Sequence, residues 1–574
     1  MKKSCSSCSS ILSVLVHGFL FLSLIANLGS AAIPTSPNVT ELSALLDFKE
    51  MIDEDPHQLM SSWNDSIHFC NWVGVTCDSS DGRIVLLNLA SRGLAGRIPP
   101  SIGNLTFLTE INITSNSFHG EIPQEMGRLL RLQTMDLSSN TLGGRIPANL
   151  THCTGLRAFH MMYNELVGQI PDQLSTLSKL EVLNLGFNDL TGNIPTWIGN
   201  FSSLQRLFLS GNNFQGSIPD ELGHLSNLGS FQVSQNNLSG ELPSSIANLS
   251  VRLKELSFGG NLLHGNIPVG IGNLVDLTGL GFEKNNLGGS IPEGIGHLHK
   301  LEGLFLFSNR FSGLIPSSLS NLTKLAKLYM DDNRLEGSIP ASLGKCTRLQ
   351  DVYFSRNYLS GTIPKQILGL PSLSIALDMS YNSLIGSLPL EVGNLNNLME
   401  LDVSHNRLSG RIPSTLSSCT SLEHLHLEGN TFDGTIPQSL ETLKGLVYLD
   451  LSQNNLSGQL PVFLSKFSSL WYLNLSNNDF EGEVPQGGVF ANASAIFITG
   501  NDKLCGGIAE LRLQKCVWKR DGKHLSTKRI RPNKDKNEQA QLTNNGPWPD
   551  LKMKKYQARV QKGESQNERQ RLMK

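Results

Sequence analysis

This chain of 574 residues lacks what membrane crossing or catalysis would require. Spanning a bilayer takes about 20 apolar residues, and no such run follows residue 32, so no span is expected after the leader. No H-R-D or D-F-G motif and no glycine-rich phosphate loop occurs. Gly270-Ile271-Gly272 and Gly294-Ile295-Gly296 lack the third glycine. No catalytic residues can be named, no cofactor is called for, and the expectation is that the chain is not an enzyme. Cysteines number only 9, with no histidine partners at metal-ligand spacing near Cys70 and Cys77. Charged residues make up only 17% of the chain and are unevenly spread. Residues 519–574 hold 16 Lys/Arg against 6 Asp/Glu, a net of +10, which with −2 overall leaves −12 on the remainder. An acidic body argues against nucleic acid as a partner.

What is present is one unit copied many times. Asparagines recur every 24 residues from Asn116 to Asn236, then from Asn261 to Asn357, then from Asn382 to Asn478, with one extra residue at each of the two breaks. An earlier copy keeps the frame with Arg92 in that place. Around the marker each unit reads L-x-x-L-x-L-x-x-N-x-L-x-G-x-I-P-x-x-L-G-N-L, as in residues 301–322, and the Ile-Pro pair or its Leu/Val variant recurs seventeen times from Ile98-Pro99 to Val484-Pro485. That period and leucine spacing are the signature of a leucine-rich repeat. The fold class expected is α/β, a right-handed solenoid of about 17 repeats of 24 residues, with a parallel β-sheet on the concave face and a cap at each end. One turn cannot bury its own apolar side, so turns stack and share a core. In x-x-L-x-L the leucines alternate inward and the x residues outward. The asparagine amide both accepts and donates, and is expected to form a buried ladder where the chain leaves the strand. The 54 glycines and 25 prolines fall at fixed offsets, so they are structural rather than low-complexity.

Met1-Lys2-Lys3, an apolar run over 11–28 and Gly29-Ser30-Ala31-Ala32 match a cleaved secretory signal; a signal anchor is the alternative. Thr40 is placed to cap a helix whose Leu42, Leu45, Leu46 and Phe48 would cover the open end of the solenoid. Cys70 and Cys77, seven apart in an exported chain, read as a disulfide around Trp72. The domain reading is 1–32 signal peptide, 33–83 N-terminal cap, 84–490 repeats, 491–516 C-terminal cap and 517–574 basic tail.

The helix, the lid W-N-x-x-x-x-x-C-x-W-x-G-V-x-C at residues 63–77, the L-x-G-x-I-P repeats and Phe497-Ile498-Thr499-Gly500-Asn501 with Leu504-Cys505-Gly506 together resemble the extracellular half of plant leucine-rich-repeat receptor-like kinases, closest to the immune receptors. The resemblance covers roughly 40–516. It implies a secreted or cell-surface protein that captures a peptide or protein ligand on its concave face, in defence or signalling, with a co-receptor kinase ectodomain as a possible partner near the C-terminal repeats. Full-length relatives would sit at the plasma membrane. A different class, a secreted inhibitor of pathogen wall-degrading enzymes such as polygalacturonase, shares the repeat but has about half as many copies. Cys505 and Cys516 can close the second lid. In the receptor family a spanning helix and a kinase would follow; here the tail, with Pro532, Gly546, Pro547 and Pro549 among many Lys, Gln and Asn, has a disordered composition. Its readings are a read-through or truncation remnant, or a basic anchor to acidic wall polymers.

Export makes N-x-S/T sequons usable. Twelve occur, at Asn38, Asn64, Asn104, Asn112, Asn149, Asn200, Asn237, Asn248, Asn321, Asn455, Asn474 and Asn492. Only Asn112 and Asn474 are expected at outward strand positions, which would leave the concave face between them bare of sugar. On that face the residue four before each asparagine forms a column, and Phe305, Tyr329 and Tyr353 follow one another in it beside Phe307, Asp331, Asp332 and Arg356. His160, Met162, Tyr163, Phe187 and Phe208 make a second aromatic group. Exposed aromatics of this kind form binding hot spots; the competing reading is that they merely stack and stabilise the sheet. Glu423, His424, His426 and Glu428, with His405 one strand away, suggest a pH-responsive partner contact in preference to a metal site. Cys153, Cys346 and Cys419 replace leucine at inward positions and are expected to stay reduced.

Overall fold

The computed structural model describes residues 37–517. The leader and, apart from Val517, the basic tail lie outside the described residues.

Each repeat opens with a short strand that pairs in parallel with the strand one repeat on. Leu304 faces Leu328, Leu328 faces Val352 and Val352 faces Leu377, all buried. Alternation then puts Phe305, Tyr329 and Tyr353 on the opposite face, in register with one another. The row begins with the antiparallel pair Val75–Cys77 and Ile84–Asn88 and runs in chain order to Ile496–Phe497. The two supernumerary residues fall outside the pairing, between Leu249 and Leu253 and between Leu373 and Leu377, so the column register survives both.

The asparagine ladder holds the exit from each strand. Asn333 Nδ2 donates to the carbonyls of Leu306 in the preceding repeat (3.0 Å) and Met330 (3.2 Å), while its Oδ1 accepts the N–H of Phe311 (3.0 Å). Backbone groups that a bend would strand are thereby satisfied. The ladder continues into the C-terminal cap: Asn501 Oδ1 accepts from Phe480 N–H, and its Nδ2 donates to the carbonyls of Leu475 and Ile498. The fixed 24-residue spacing had hidden this rung, because Asn501 follows Asn478 by 23.

After the asparagine the chain forms a second extended segment, which pairs with its equivalents in short flanking sheets, as Ser312–Leu314 does with Arg334–Ser338. Gly337 there has φ +74°, a conformation that L side chains resist. Proline then ends the segment and precedes a 3₁₀ turn, as Pro316 precedes Ser317–Asn321. Successive turns approach closely: a Cβ on Gly272 would lie 2.2 Å from the Gly294 carbonyl oxygen, which accounts for the glycine in L-G-N-L.

At the N-terminal end the helix runs Pro37–Glu50, so Thr40 lies inside its first turn and is not the cap. Ala44, Leu45 and Phe48 are buried against the core, with Leu42 and Leu46 at the flanks. Glu41 on the same stripe is buried too, and pairs with Arg83 Nε at 2.9 Å. Cys70 bonds Cys77 and Cys505 bonds Cys516. Cys153, Cys346 and Cys419 are free and buried, each thiol donating to a carbonyl of the preceding repeat, those of Met126, Leu319 and Val392. Burial pushes all three thiols up to about 11.

One sequon expectation needs correcting. Asn237 and Asn455 also stand in strands, Asn237–Leu238 and Asn455–Gln459 of the flanking sheets, because the residues after each ladder asparagine are themselves extended.

Candidate functional site

The outer face of the principal sheet has three columns per strand, lying six, four and two residues before the ladder asparagine. In the four-before column Phe305, Tyr329 and Tyr353 interlock edge to face, with centroids 5.2 and 5.0 Å apart. They do not stand free. Tyr329 is only 6% exposed, Phe307 beside it is 2% exposed, and Phe305 and Tyr353 are half-buried. Strands lie about 4.8 Å apart, less than the breadth of a ring, so consecutive aromatics cover one another. Tyr329 also donates its hydroxyl to Asp351 Oδ2. The column thus packs within itself, and Phe305 and Tyr353 keep part of their surface exposed. Arg356 lies over the Tyr381 ring at 4.6 Å, and Asp332 and Arg356 both take a positive φ at the rim.

Beyond Tyr353 the same column continues as Asp378, Asp402, His426, Asp450 and Asn474. The six-before column runs Asp351, Ala376, Glu400, His424, Tyr448 and Tyr472 alongside it. The face therefore turns from aromatic to acidic. Burial, followed by the charges of Asp351 and Glu400, pushes the Tyr353 phenol well above its usual range. Burial and then the charge of Glu428 raise Asp450 to about 6. The carboxylates follow Tyr353 in a column already identified, so they were legible in principle; attention to aromatics alone missed them.

The second aromatic group does not form one cluster. Asn184 separates His160 from Phe208 in the column, while Tyr163 and Phe187 stack on each other at 4.6 Å on the positive-φ rim. Met162 is buried, and burial lowers the His160 pKa despite the opposing charge of Asp136.

The histidine patch also divides. His426 is 4% exposed, sits 3.7 Å from Glu428 Oε1 and stacks on Tyr448, whereas His405 stands at the rim and stacks on Tyr381. His424 is half-buried beside Tyr448. The stack continues from Tyr448 to Tyr472 (4.1 Å) and from Tyr472 to Phe497 (5.2 Å), with Trp471 53% exposed next to it. These aromatics escaped the sequence reading because Tyr448 and Tyr472 occupy the six-before column. Asn474 Nδ2 donates to both Asp450 Oδ2 and Ser452 Oγ, so its amide belongs to this network. Among the described residues, no three His, Cys, Asp or Glu side chains are grouped to hold a metal.

Toward the N-terminal end a shallow hollow of about 320 Å³ is lined by Arg131, Arg157 and Lys179. It has the opposite charge character to the acidic columns.

A stack of parallel strands whose exits are held by an asparagine ladder defines a repeat solenoid. The chain belongs to the leucine-rich-repeat family. The leucine rich repeat N-terminal domain matches residues 39–78, and leucine rich repeat families match 178–238 and seven single repeats between 131 and 487. Over 72 residues the chain is 49% identical to the LRR receptor-like serine/threonine-protein kinase EFR of Arabidopsis thaliana, a match spanning 12% of this chain and 7% of that protein. Among solved structures it is similar to the ectodomain of the receptor kinase GASSHO1/SCHENGEN3 of Arabidopsis thaliana in complex with CASPARIAN STRIP INTEGRITY FACTOR 2, with TM-score 0.65, 31% identity, and coverage of 82% of this chain and 62% of that one. It is also similar to the plant peptide hormone receptor RGFR1 in complex with RGF2, with TM-score 0.58, 32% identity and coverage of 76% and 84%. A third is the Arabidopsis receptor kinase HAESA with the peptide hormone IDA and the co-receptor SERK1, with TM-score 0.61, 29% identity and coverage of 85% and 100%. These neighbours are ligand-binding receptor ectodomains, and no helix among the described residues is long and apolar enough to cross a membrane.

Proposed function

We propose that this chain works outside the plant cell as the ligand-capturing part of a receptor in defence or signalling, taking a peptide or protein on the outer face of the principal sheet. The observation that carries the reading is the run of Phe305 and Tyr353 into Asp378 and Asp402, partly open aromatics beside charge in one register. Binding hot spots combine these features. A co-receptor ectodomain is assigned to the C-terminal end, where Trp471, Tyr472 and Phe497 present aromatic surface and His424 lies near. HAESA with its co-receptor SERK1 supports such a two-partner arrangement. The aromatic rim of Tyr163 and Phe187 is assigned a lesser share of ligand contact. The twelve sequons are assigned as glycan acceptors with one exception, Asn474, whose amide hydrogens are already committed.

The test is selection of a displayed random 12-residue peptide library on the full glycosylated chain. Enriched peptides should lose at least tenfold in affinity on Tyr353→Ala, measured well below the melting temperature of that variant, which loss of the contact with Tyr329 lowers. Absence of any binder sensitive to substitutions on this face would overturn the proposal.

A further inference from the structure

One edge of the principal sheet carries cations at a regular interval. The residue nine before each ladder position runs Arg83, Phe107, Arg131, Gly155 and Lys179 through the first five repeats, so a cation returns every second repeat. With strands about 4.8 Å apart, the backbones of Arg131 and Lys179 stand roughly 10 Å from each other along the row. Arg83 is committed to the buried Glu41 at 2.9 Å. Its guanidinium lies over the Phe107 ring at 3.7 Å, and that of Arg131 lies over the same ring at 3.9 Å. Arg131 is thus held by packing and not by a carboxylate. Among the described residues neither Arg131 nor Lys179 makes an ion pair, and both are exposed.

Both line the hollow of about 320 Å³. The repeat between them has Gly155 in the row, at a φ that does not call for glycine. A Cβ there would stand 3.2 Å from the Leu132 carbonyl oxygen, so what the glycine supplies is room. Thr109 and Gln133 line the hollow with neutral hydrogen-bonding groups, and Leu130, 61% exposed, adds apolar surface. Arg157 is the third cation of the lining and is held by Glu181 at 2.6 Å. Glu110 follows Thr109 in the chain but belongs to the six-before column and does not line the hollow. Two cations therefore remain in excess of that one pair, on a body that is otherwise acidic.

Cations arranged in this way select an anion of a particular kind. An exposed ion pair contributes little by itself, so the ligand must engage several cations at once. A small anion would need donors converging on one point, whereas these are spread along the solenoid axis with open space between them. A chain charged at intervals and passing through the hollow meets that layout. Neutral hydrogen-bonding groups and an apolar patch between the charges suit a sugar ring, which has hydroxyls at its rim and C–H groups on its faces. We infer that this edge binds a polymer of acidic sugars, with ring carboxylates paired to Arg131 and Lys179 and a ring over Gly155. The site lies off the three outward columns assigned to a peptide, and it stands whether or not a peptide binds there. Outside the cell it would hold the protein to acidic wall polysaccharide.

The probe is an oligomer of galacturonic acid, and the readout is protection of individual lysines from acetylation in the full glycosylated chain, followed by mass spectrometry. Reading single lysines separates the hollow from the basic tail, whose net charge attracts polyanions on its own. Lys179 should be protected at a concentration at least tenfold below that needed for Lys324, an exposed lysine at the nine-before place of its own repeat. Arg131→Gln should raise the concentration that half-protects Lys179 at least tenfold. Arg131→Lys, which keeps the charge, should recover most of that loss, and Lys324→Gln should change nothing at Lys179. Arg131 is exposed, so these variants should fold, and thermal unfolding checks that they do. Equal protection of Lys179 and Lys324, or protection insensitive to Arg131→Gln, would show general charge attraction and overturn the inference. The methyl-esterified oligomer should not protect; if it protects equally, the carboxylates are not what is bound and the inference fails. Poly-glutamate that protects Lys179 as well as the sugar does would make this a site for acidic peptides and overturn the sugar assignment.

Discussion

Tyr329 shows how an outward position can still be structural. Its ring is enclosed by Phe305, Phe307 and Tyr353, and its hydroxyl serves Asp351. Tyr329→Ala should therefore cost about 3 kcal/mol of stability, the scale of an emptied aromatic site, comparable to Leu328→Ala on the inward face. Chemical denaturation of both variants checks this, and a Tyr329→Ala protein as stable as wild type would mean the ring is not enclosed. Asp450 carries a second prediction. Its folded pKa of about 6 lies above the unfolded value of about 3.9. Between those values the folded state holds a proton that the unfolded chain has released, so stability falls as pH rises through the window and is lowest above it. The effect is on the order of 3 kcal/mol at most. The melting temperature should be higher at pH 5 than at pH 7, and Asp450→Asn, which keeps an acceptor for the Ser452 N–H, should flatten much of that slope.

At the scale of the element, each ladder asparagine joins two repeats. Asn357 donates to the carbonyls of Met330 and Phe354 and accepts from Leu335 N–H. Asn357→Ala strands these buried groups at roughly 1–3 kcal/mol each, so a loss of several kcal/mol is expected. Hydrogen exchange should show it concentrated in the repeats on either side, while Asn357→Ser should recover only a fraction. The strands themselves were readable residue by residue, because inward leucines alternate with a fixed partner spacing. What the alternation could not show is that outward rings such as Phe307 are shielded by neighbours one strand away. Nor could it show that Tyr448 and Tyr472 meet His426 across two columns.

For the whole molecule, stability in a stacked repeat is nearly a sum over neighbours, so an end without a lid frays. The Cys70–Cys77 lid and the buried Glu41–Arg83 pair close the first repeats. Replacing both cysteines by serine should remove about 2–3 kcal/mol, the loop-closure contribution for so short a ring. Amide exchange should rise in the repeats nearest the helix Pro37–Glu50 and remain unchanged near Tyr472. A uniform rise along the chain would contradict a neighbour-by-neighbour solenoid.

Taken alone, the order of residues determined the repeat, its frame, the inward leucines and the asparagine ladder, because each is a local pattern reproduced at constant spacing. It determined which residues share a column, and so placed Phe305, Tyr329 and Tyr353 together. Only the tertiary structure decided how much of each ring remains open, since that depends on side chains up to two strands away. It alone joined Glu41 to Arg83 across 42 residues. And it alone set Asp351, Asp378, Glu400 and Asp402 on one patch, because the charge of a face is a property of adjacent strands, and sequence neighbours are not neighbours there.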